Sequence, residues 1–269
     1  MAGPLSESKP ADLNVNVPHS ARMWNYWLGG KDNFAVDRQV ADQVREVYPA
    51  IVDVARYARA FLGHAVRHLA GEAGVRQFLD IGTGLPTANN THEVAQRVDP
   101  TCRIVYVDHD PLVLVHARAL LVSTPEGVTE YIDADVRDPD KILAAAAKTL
   151  DFDQPVALMM LGIMGSVLDD DQAYTIVKRL LHALPSGSYL VLEDGTNVFH
   201  PEAANQAERL RAEAGDPYRL RNPEQMARFF DGLELLEPGI VSVSRWRRES
   251  DPSSTPADVD ALCGVGRKP

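Results

Sequence analysis

Three aspartates stand where hydrophobic, strand-like segments run out. Asp80 lies in RQFLDIGTGLP (76–86), Asp108 ends RIVYVD (103–108), and Asp135 ends VTEYIDAD (128–135). The first segment runs into Gly82-Thr83-Gly84 ahead of a helical stretch. Glycines in such a turn let a ligand approach the backbone closely. A dinucleotide site would need G-x-G-x-x-G, but Thr87 occupies the third glycine position. A carboxylate just before the turn would also oppose a pyrophosphate. A ligand without phosphates that carries cations suits this edge better, and S-adenosylmethionine (SAM), with its sulfonium and ammonium, is such a ligand. Asp108 is placed to accept from the two ribose hydroxyls. Asp135 is placed to accept from the adenine amino group, with the Val136 backbone N–H facing a ring nitrogen. His109 can lie flat against adenine, and Leu161-Gly162 can pass beneath the methionine part.

The elements that must hold these residues follow from hydrophobic period and turn chemistry. Strands are expected at 76–81, 103–108, 128–135, 155–162 and 188–194. Helices are expected between them at 90–98, 111–121, 139–149 and 169–183. The strands are near-continuously apolar, as when both faces of a parallel sheet are covered. The alternation predicts an α/β fold with a doubly wound, mostly parallel sheet of seven strands, Rossmann-like in form. The pattern then breaks. Helices are expected at 201–214 and 222–231, a strand interrupted near Pro238-Gly239 at 233–246, a polar loop at 247–257, and a terminal strand at 261–268. The last two strands fit an antiparallel edge. Ahead of the sheet, residues 1–17 read as a flexible tail. Residues 18–73 read as a helical extension, with a short helix ended by Gly29-Gly30 and two longer ones split at Pro49. The domain proper then spans 74–269, with a substrate-cap region at about 196–231.

Composition narrows the function. The 269 residues are 45% hydrophobic and carry a formal net charge of −11. Such a surface repels phosphate backbones, so no nucleic-acid partner is expected. No apolar run reaches the roughly 18 residues of a membrane span, and the N-terminus lacks the pattern of a secretory signal. A cytoplasmic protein with a small-molecule substrate is expected, its oligomeric state open. The two cysteines, Cys102 and Cys263, lie in apolar contexts without a CxxC pair, so reduced buried thiols and no metal site are expected. Motifs of hydrolases, phosphate-binding loops and zinc proteases are absent from the sequence.

FLDIGTGLPTANNTHEVAQ, IVYVDHDPLVLVHARALL, ADVRDP, the N-terminal MWNYWLGGKDNFAVDR and the closing GVGRKP together resemble an actinobacterial family of SAM-dependent methyltransferases once known only as a domain of unknown function. The resemblance runs from about residue 16 to the end. It implies a class I methyltransferase fold, SAM as cofactor, and cofactor roles for Asp80, Gly82, Gly84, Asp108 and Asp135. It places Tyr26, Gly30, Lys31 and Asn33 in a signature segment expected to fold over the cofactor as a lid. Two segments depart from the family pattern. Met164-Gly165-Ser166-Val167 stands where relatives carry a histidine, and Glu193-Asp194-Gly195-Thr196-Asn197 where they tend to Ser-His-Ala-Thr. Both fall at the acceptor-facing edge, where Glu193, Asp194, His200, Tyr218 and Arg221 are the candidate residues. The expected function is methyl transfer to a small molecule. A non-catalytic SAM- or S-adenosylhomocysteine-binding regulator, and non-methyl chemistry in the same pocket, remain open at this point.

Overall fold

The computed structural model describes residues 15–120, 122–247 and 256–269. Most of the expected tail (1–17) and of the polar loop (247–257) lies outside the described residues. Three helices come first: α1 (Ser20–Trp27), α2 (Ala35–Val47) and α3 (Ile51–Gly71). Strands and helices then alternate as β1 (Gln77–Ile81), α4 (Thr91–Val98), β2 (Arg103–Asp108), α5 (Pro111–Leu120), β3 (Val128–Asp133), α6 (Pro139–Ala146), β4 (Val156–Leu161), α7 (Asp170–His182) and β5 (Tyr189–Gly195). The chain closes with α8 (Pro201–Glu213), α9 (Pro223–Ala227), β6 (Glu234–Leu235), β7 (Val241–Ser242) and β8 (Ala261–Arg267).

Local chemistry sets the helix starts. Asn90 and Glu93 form a reciprocal capping box on α4, Asp138 caps α6 ahead of Pro139, and Asp169 caps α7. Each satisfies a backbone N–H that the first helical turn leaves without a partner.

The strand order is β3-β2-β1-β4-β5-β8-β6, with β7 also paired to β8. Strands β1 to β5 are mutually parallel, and β8 runs antiparallel to β5. The two short strands β6 and β7 share the outer side of β8, pairing Glu234 with Arg267 and Val241 with Cys263. They make one edge position broken at Pro238-Gly239, where Gly239 takes φ +84°. The sheet therefore has the expected seven positions. Its antiparallel C-terminal strand sits one place in from the rim.

Side chains alternate across the strands into two cores. Phe78, Ile104, Tyr106, Met159 and Val191 pack towards α1–α3 and α4. Leu79, Val105, Leu158, Met160 and Leu192 pack towards α6, α7 and a short 3-10 turn at Arg228–Phe230. Both faces are covered, which is why the strands read as unbroken apolar runs. β1 has β2 on one side and β4 on the other, so successive crossovers leave in opposite directions there. A crevice opens beyond the carboxyl ends of these strands.

Candidate cofactor and acceptor site

A cavity of about 440 Å³ occupies that crevice, within the roughly 300–1,000 Å³ usual for small-molecule sites. The ends of β1, β2, β4 and β5 form its floor, and residues of α1, α3 and α8 its roof. Asp80, Gly82, Gly84, Asp108, His109, Leu161 and Gly162 all line it. Seven of the expected site residues are thus brought together.

Asp80 is buried and accepts a 2.6 Å hydrogen bond from Thr91 Oγ1 at the start of α4. Burial pushes its carboxyl up to about 6, against the opposing pull of Thr91 and Arg59. Gly82 and Gly84 take φ of +76° and +65°, a region that side chains rarely adopt. Their surroundings differ. A Cβ on Gly82 would lie 2.6 Å from Ile163 Cβ, so the turn is pressed onto the residues after β4. A Cβ on Gly84 would meet only Ala21, at 3.9 Å. Asp108 pins this turn: its Oδ2 accepts from Gly84 N at 2.9 Å, and its Oδ1 from the backbone N–H groups of His109 and Asp110 at 2.8 and 2.9 Å. A carboxylate offers about four acceptor positions, so Asp108 keeps capacity on Oδ2. Neither acid is ion-paired among the described residues, which suits a cationic ligand and not a phosphate. His109 is exposed at the rim, its ring centroid 5.8 Å from that of His19.

The other expected residues are not brought into the wall. β3 ends at Asp133, the partner of Asp108 in register, two residues short of Asp135. Ala134 N donates to Asp108 O and the chain then turns, with Asp138 N bonding Asp135 O. Asp135 is half-buried and holds Arg137 at 3.1 Å, while Val136 is buried in the α6–α7 core. Arg137 lines the cavity instead and donates to Ser166 O at 2.6 Å. Tyr26 donates to Asp42 on α2, and Lys31 is exposed. Gly30 packs against the Asn25 side chain, which would be 2.3 Å from a Cβ there. Asn33 Nδ2 donates to Asn25 Oδ1 at 3.0 Å. The Gly-Gly-Lys-Asp-Asn turn thus holds Asn25, which reaches the cavity together with Met23, Trp24, Trp27 and Leu28 of α1 and its end.

Further residues of the site escaped the sequence reading. The buried Arg22–Asp110 pair, with His19 Nδ1 at 3.1 Å from Asp110, fastens α1 to the loop after β2. Ser20 donates to Asp216, which also holds Arg211, fastening the other side of α1 to the loop after α8. Tyr48 donates to Asp260 at 3.0 Å, and Nδ1 of His200, one of the acceptor-side candidates, lies 2.7 Å from the same carboxylate. Tyr48 and Asp260 line the cavity; His200 is about half exposed and faces outward.

Of the acceptor-side candidates, Glu193 and Tyr218 reach the cavity. Asp194 points the other way, accepting from Tyr218 Oη and Gly195 N, with Arg221 Nη1 4.0 Å away. Arg221 is fully buried. It donates to the carbonyls of Met164 and Val167 at 2.8 Å and to Asp170 at 3.1 Å, clamping the segment after β4 to α7. The two segments that depart from the family pattern therefore meet at one arginine.

No helix among the described residues is long and apolar enough to cross a membrane. The sequence profile of an S-adenosyl methyltransferase family matches residues 6–269. A crystal structure of a DUF574 family protein from Streptomyces avermitilis is similar at 46% identity and TM-score 0.92, covering 96% of this chain and 100% of its own. A candidate methyltransferase of Thermobifida fusca is similar at 41% identity and TM-score 0.87, covering 98% and 99%. The plantazolicin methyltransferase BamL shares the fold at 12% identity and TM-score 0.53, over 92% and 95% of the two chains. A search of curated protein sequences finds no match. With the profile spanning nearly the whole sequence, the chain belongs to the S-adenosyl methyltransferase family, whose cofactor is SAM.

Proposed function

We propose that the protein transfers the methyl group of SAM to a small-molecule acceptor inside this cavity. One observation carries the reading: the glycine turn and its two acids share a single cavity with an apolar chamber under α1, α3 and α8. Asp80 faces the cationic part of the cofactor, Asp108 the ribose and His109 the adenine. Leu161 and Gly162 lie beneath the methionine part. Asp135 and the Gly30–Asn33 turn act at one remove, through Arg137 and Asn25.

When bound, SAM supplies an activated methyl carbon and a neutral thioether leaving group. The chain's task is then to position the acceptor and exclude water. Helix α1 serves as a lid, latched to Asp110 on one side and to Asp216 and Arg211 on the other. Incubation with SAM and fractionated cell extract should yield S-adenosylhomocysteine together with a product heavier by one methylene. Tight SAM binding with no S-adenosylhomocysteine formed from any fraction would favour a binding protein. A product of another mass would favour non-methyl chemistry.

A further inference from the structure

Glu193 lies two residues before the end of β5, is 2% exposed, and lines the cavity. Its carboxyl has no hydrogen-bond donor and no cation among the described residues. The neighbouring Asp194, equally buried, accepts from Tyr218 Oη and Gly195 N on Oδ1, while its Oδ2, turned towards Arg221, has no hydrogen-bond donor among the described residues. Glu193 is paired in register with Leu161 on β4 and Cys263 on β8, and its Oε2 would lie 3.7 Å from a Cβ on Gly162. It therefore stands at the seam between the cofactor floor and the chamber. A second polar group in the same wall lacks a partner: Thr196 Oγ1, fully buried and without a hydrogen bond. Two unsatisfied polar groups at one end of a cavity lined by Trp24, Trp27, Val44, Val54, Leu62 and Ala207 are costly for the fold alone. They are satisfied by a ligand that is mostly apolar and bears one hydrogen-bonding group at that end.

We propose that Glu193 is the proton acceptor of the site and that the methyl acceptor is an uncharged, largely apolar molecule presenting a single O–H or N–H to Glu193 and Thr196. This rests on the reading of the cavity as a methyltransferase site. The acceptor's O–H or N–H gives its proton to the Glu193 carboxylate, and its lone pair forms the new bond to the methyl carbon. The C–S bond breaks with its electron pair left on sulfur. An anionic acceptor is disfavoured at this end: Arg59, Arg137 and Arg211 also line the cavity, but the charges acting on Glu193 come from Asp194 and not from a cation.

Burial pushes the free Glu193 carboxyl up to about 8, with Asp194 adding to the rise. A sulfonium placed beside it favours the ionised form. SAM binding then releases a proton below pH 8, and binding of the neutral thioether S-adenosylhomocysteine does not. The other titratable groups around Glu193 are Asp194 on its own strand, Cys263 on β8, and Tyr218 from the loop after α8. Arg59 and Tyr48 bound the cavity from the α3 side, Glu208 and Arg211 from α8, and Asp260 from the segment before β8.

The test is calorimetry of SAM and S-adenosylhomocysteine across pH 6.5–9, in buffers of different ionisation heat, with the native protein and Glu193→Gln. SAM affinity should rise about fivefold or more with pH, S-adenosylhomocysteine affinity by less than about twofold, and the excess should vanish in Glu193→Gln. In the S-adenosylhomocysteine-loaded protein, 2-naphthol should bind at least about tenfold more tightly than 2-naphthoate, and Glu193→Gln should narrow the gap. SAM binding without excess proton release, or with the same release in the variant, removes Glu193 from the methyl position. Equal or tighter binding of naphthoate, or binding of neither probe, overturns the acceptor class. No SAM binding at all would instead sink the methyltransferase reading itself.

Discussion

Asp108 and Glu193 both stand at or near the ends of parallel strands, both are buried, and both line the same cavity, yet their surroundings are opposite. Asp108 accepts from three backbone N–H groups and holds the glycine turn in shape. Glu193 accepts from nothing among the described residues. The first carboxylate is part of the scaffold before any ligand arrives. The second costs stability until something pairs with it. The difference divides the cavity into an edge built in advance and an end left for a partner, as expected where binding energy is reserved for a reacting group.

Several substitutions would break or sharpen this contrast. The largest effect should come from the clamp behind the acceptor end. Arg221→Ala leaves two carbonyls without their donor and takes one of three donors from Asp170, and should cost about 3–5 kcal/mol in urea unfolding. A loss under about 1 kcal/mol would mean that the segments after β4 and β5 stand without it. Asp108→Ala frees the glycine turn and removes a charged acceptor. SAM binding should weaken by about 1.5–3 kcal/mol, read by calorimetry.

Glu193→Gln should do the reverse for stability. The native carboxyl is raised from 4.5 to about 8, so the folded state holds a proton that the unfolded state gives up. Its contribution to stability is therefore intact below pH 4.5 and lost as pH rises through 8. The glutamine variant should escape that loss and be more stable at pH 9 by about 1–3 kcal/mol, measured by denaturant titration at both ends of the window. A less stable variant at pH 9 would show that Glu193 has a structural partner after all. Gly84→Ala meets only Ala21, at an ordinary contact distance of 3.9 Å, but a left-handed backbone, and should cost about 1 kcal/mol of stability by thermal unfolding. The smallest effect belongs to Lys31→Ala, which should leave SAM affinity within about twofold; a larger loss would restore this residue to the wall.

The β1–β2 edge of the cavity was legible in the sequence because it is local. A strand, a glycine turn and a capped helix are consecutive, and Asp80 and Asp108 close strands whose apolar runs are unmistakable. Asp135 does not line the cavity because β3 ends at Asp133, two residues earlier than the expected strand, and the chain turns between Asp135 and Asp138. Gly30 and Asn33 have the residue types of ligand contacts, yet their turn closes on Asn25. The acceptor end could not be read in this way. Tyr48–Asp260, Ser20–Asp216 and Arg22–Asp110 join residues separated by 212, 196 and 88 positions. No period or short motif encodes such pairings. That Glu193 faces the cavity while Asp194 faces Arg221 depends on strand register, which only the assembled sheet supplies.

On the function proposed above, the β1–β2–β4 edge is a SAM site held by Asp108. The measurement that tests it most directly is isothermal calorimetry of the native protein and Asp108→Ala against SAM, S-adenosylhomocysteine and NAD. Micromolar binding of the first two, none of the third, and a loss of about tenfold or more in the variant are predicted. Silence towards SAM, binding of NAD, or an unchanged affinity in Asp108→Ala would contradict it.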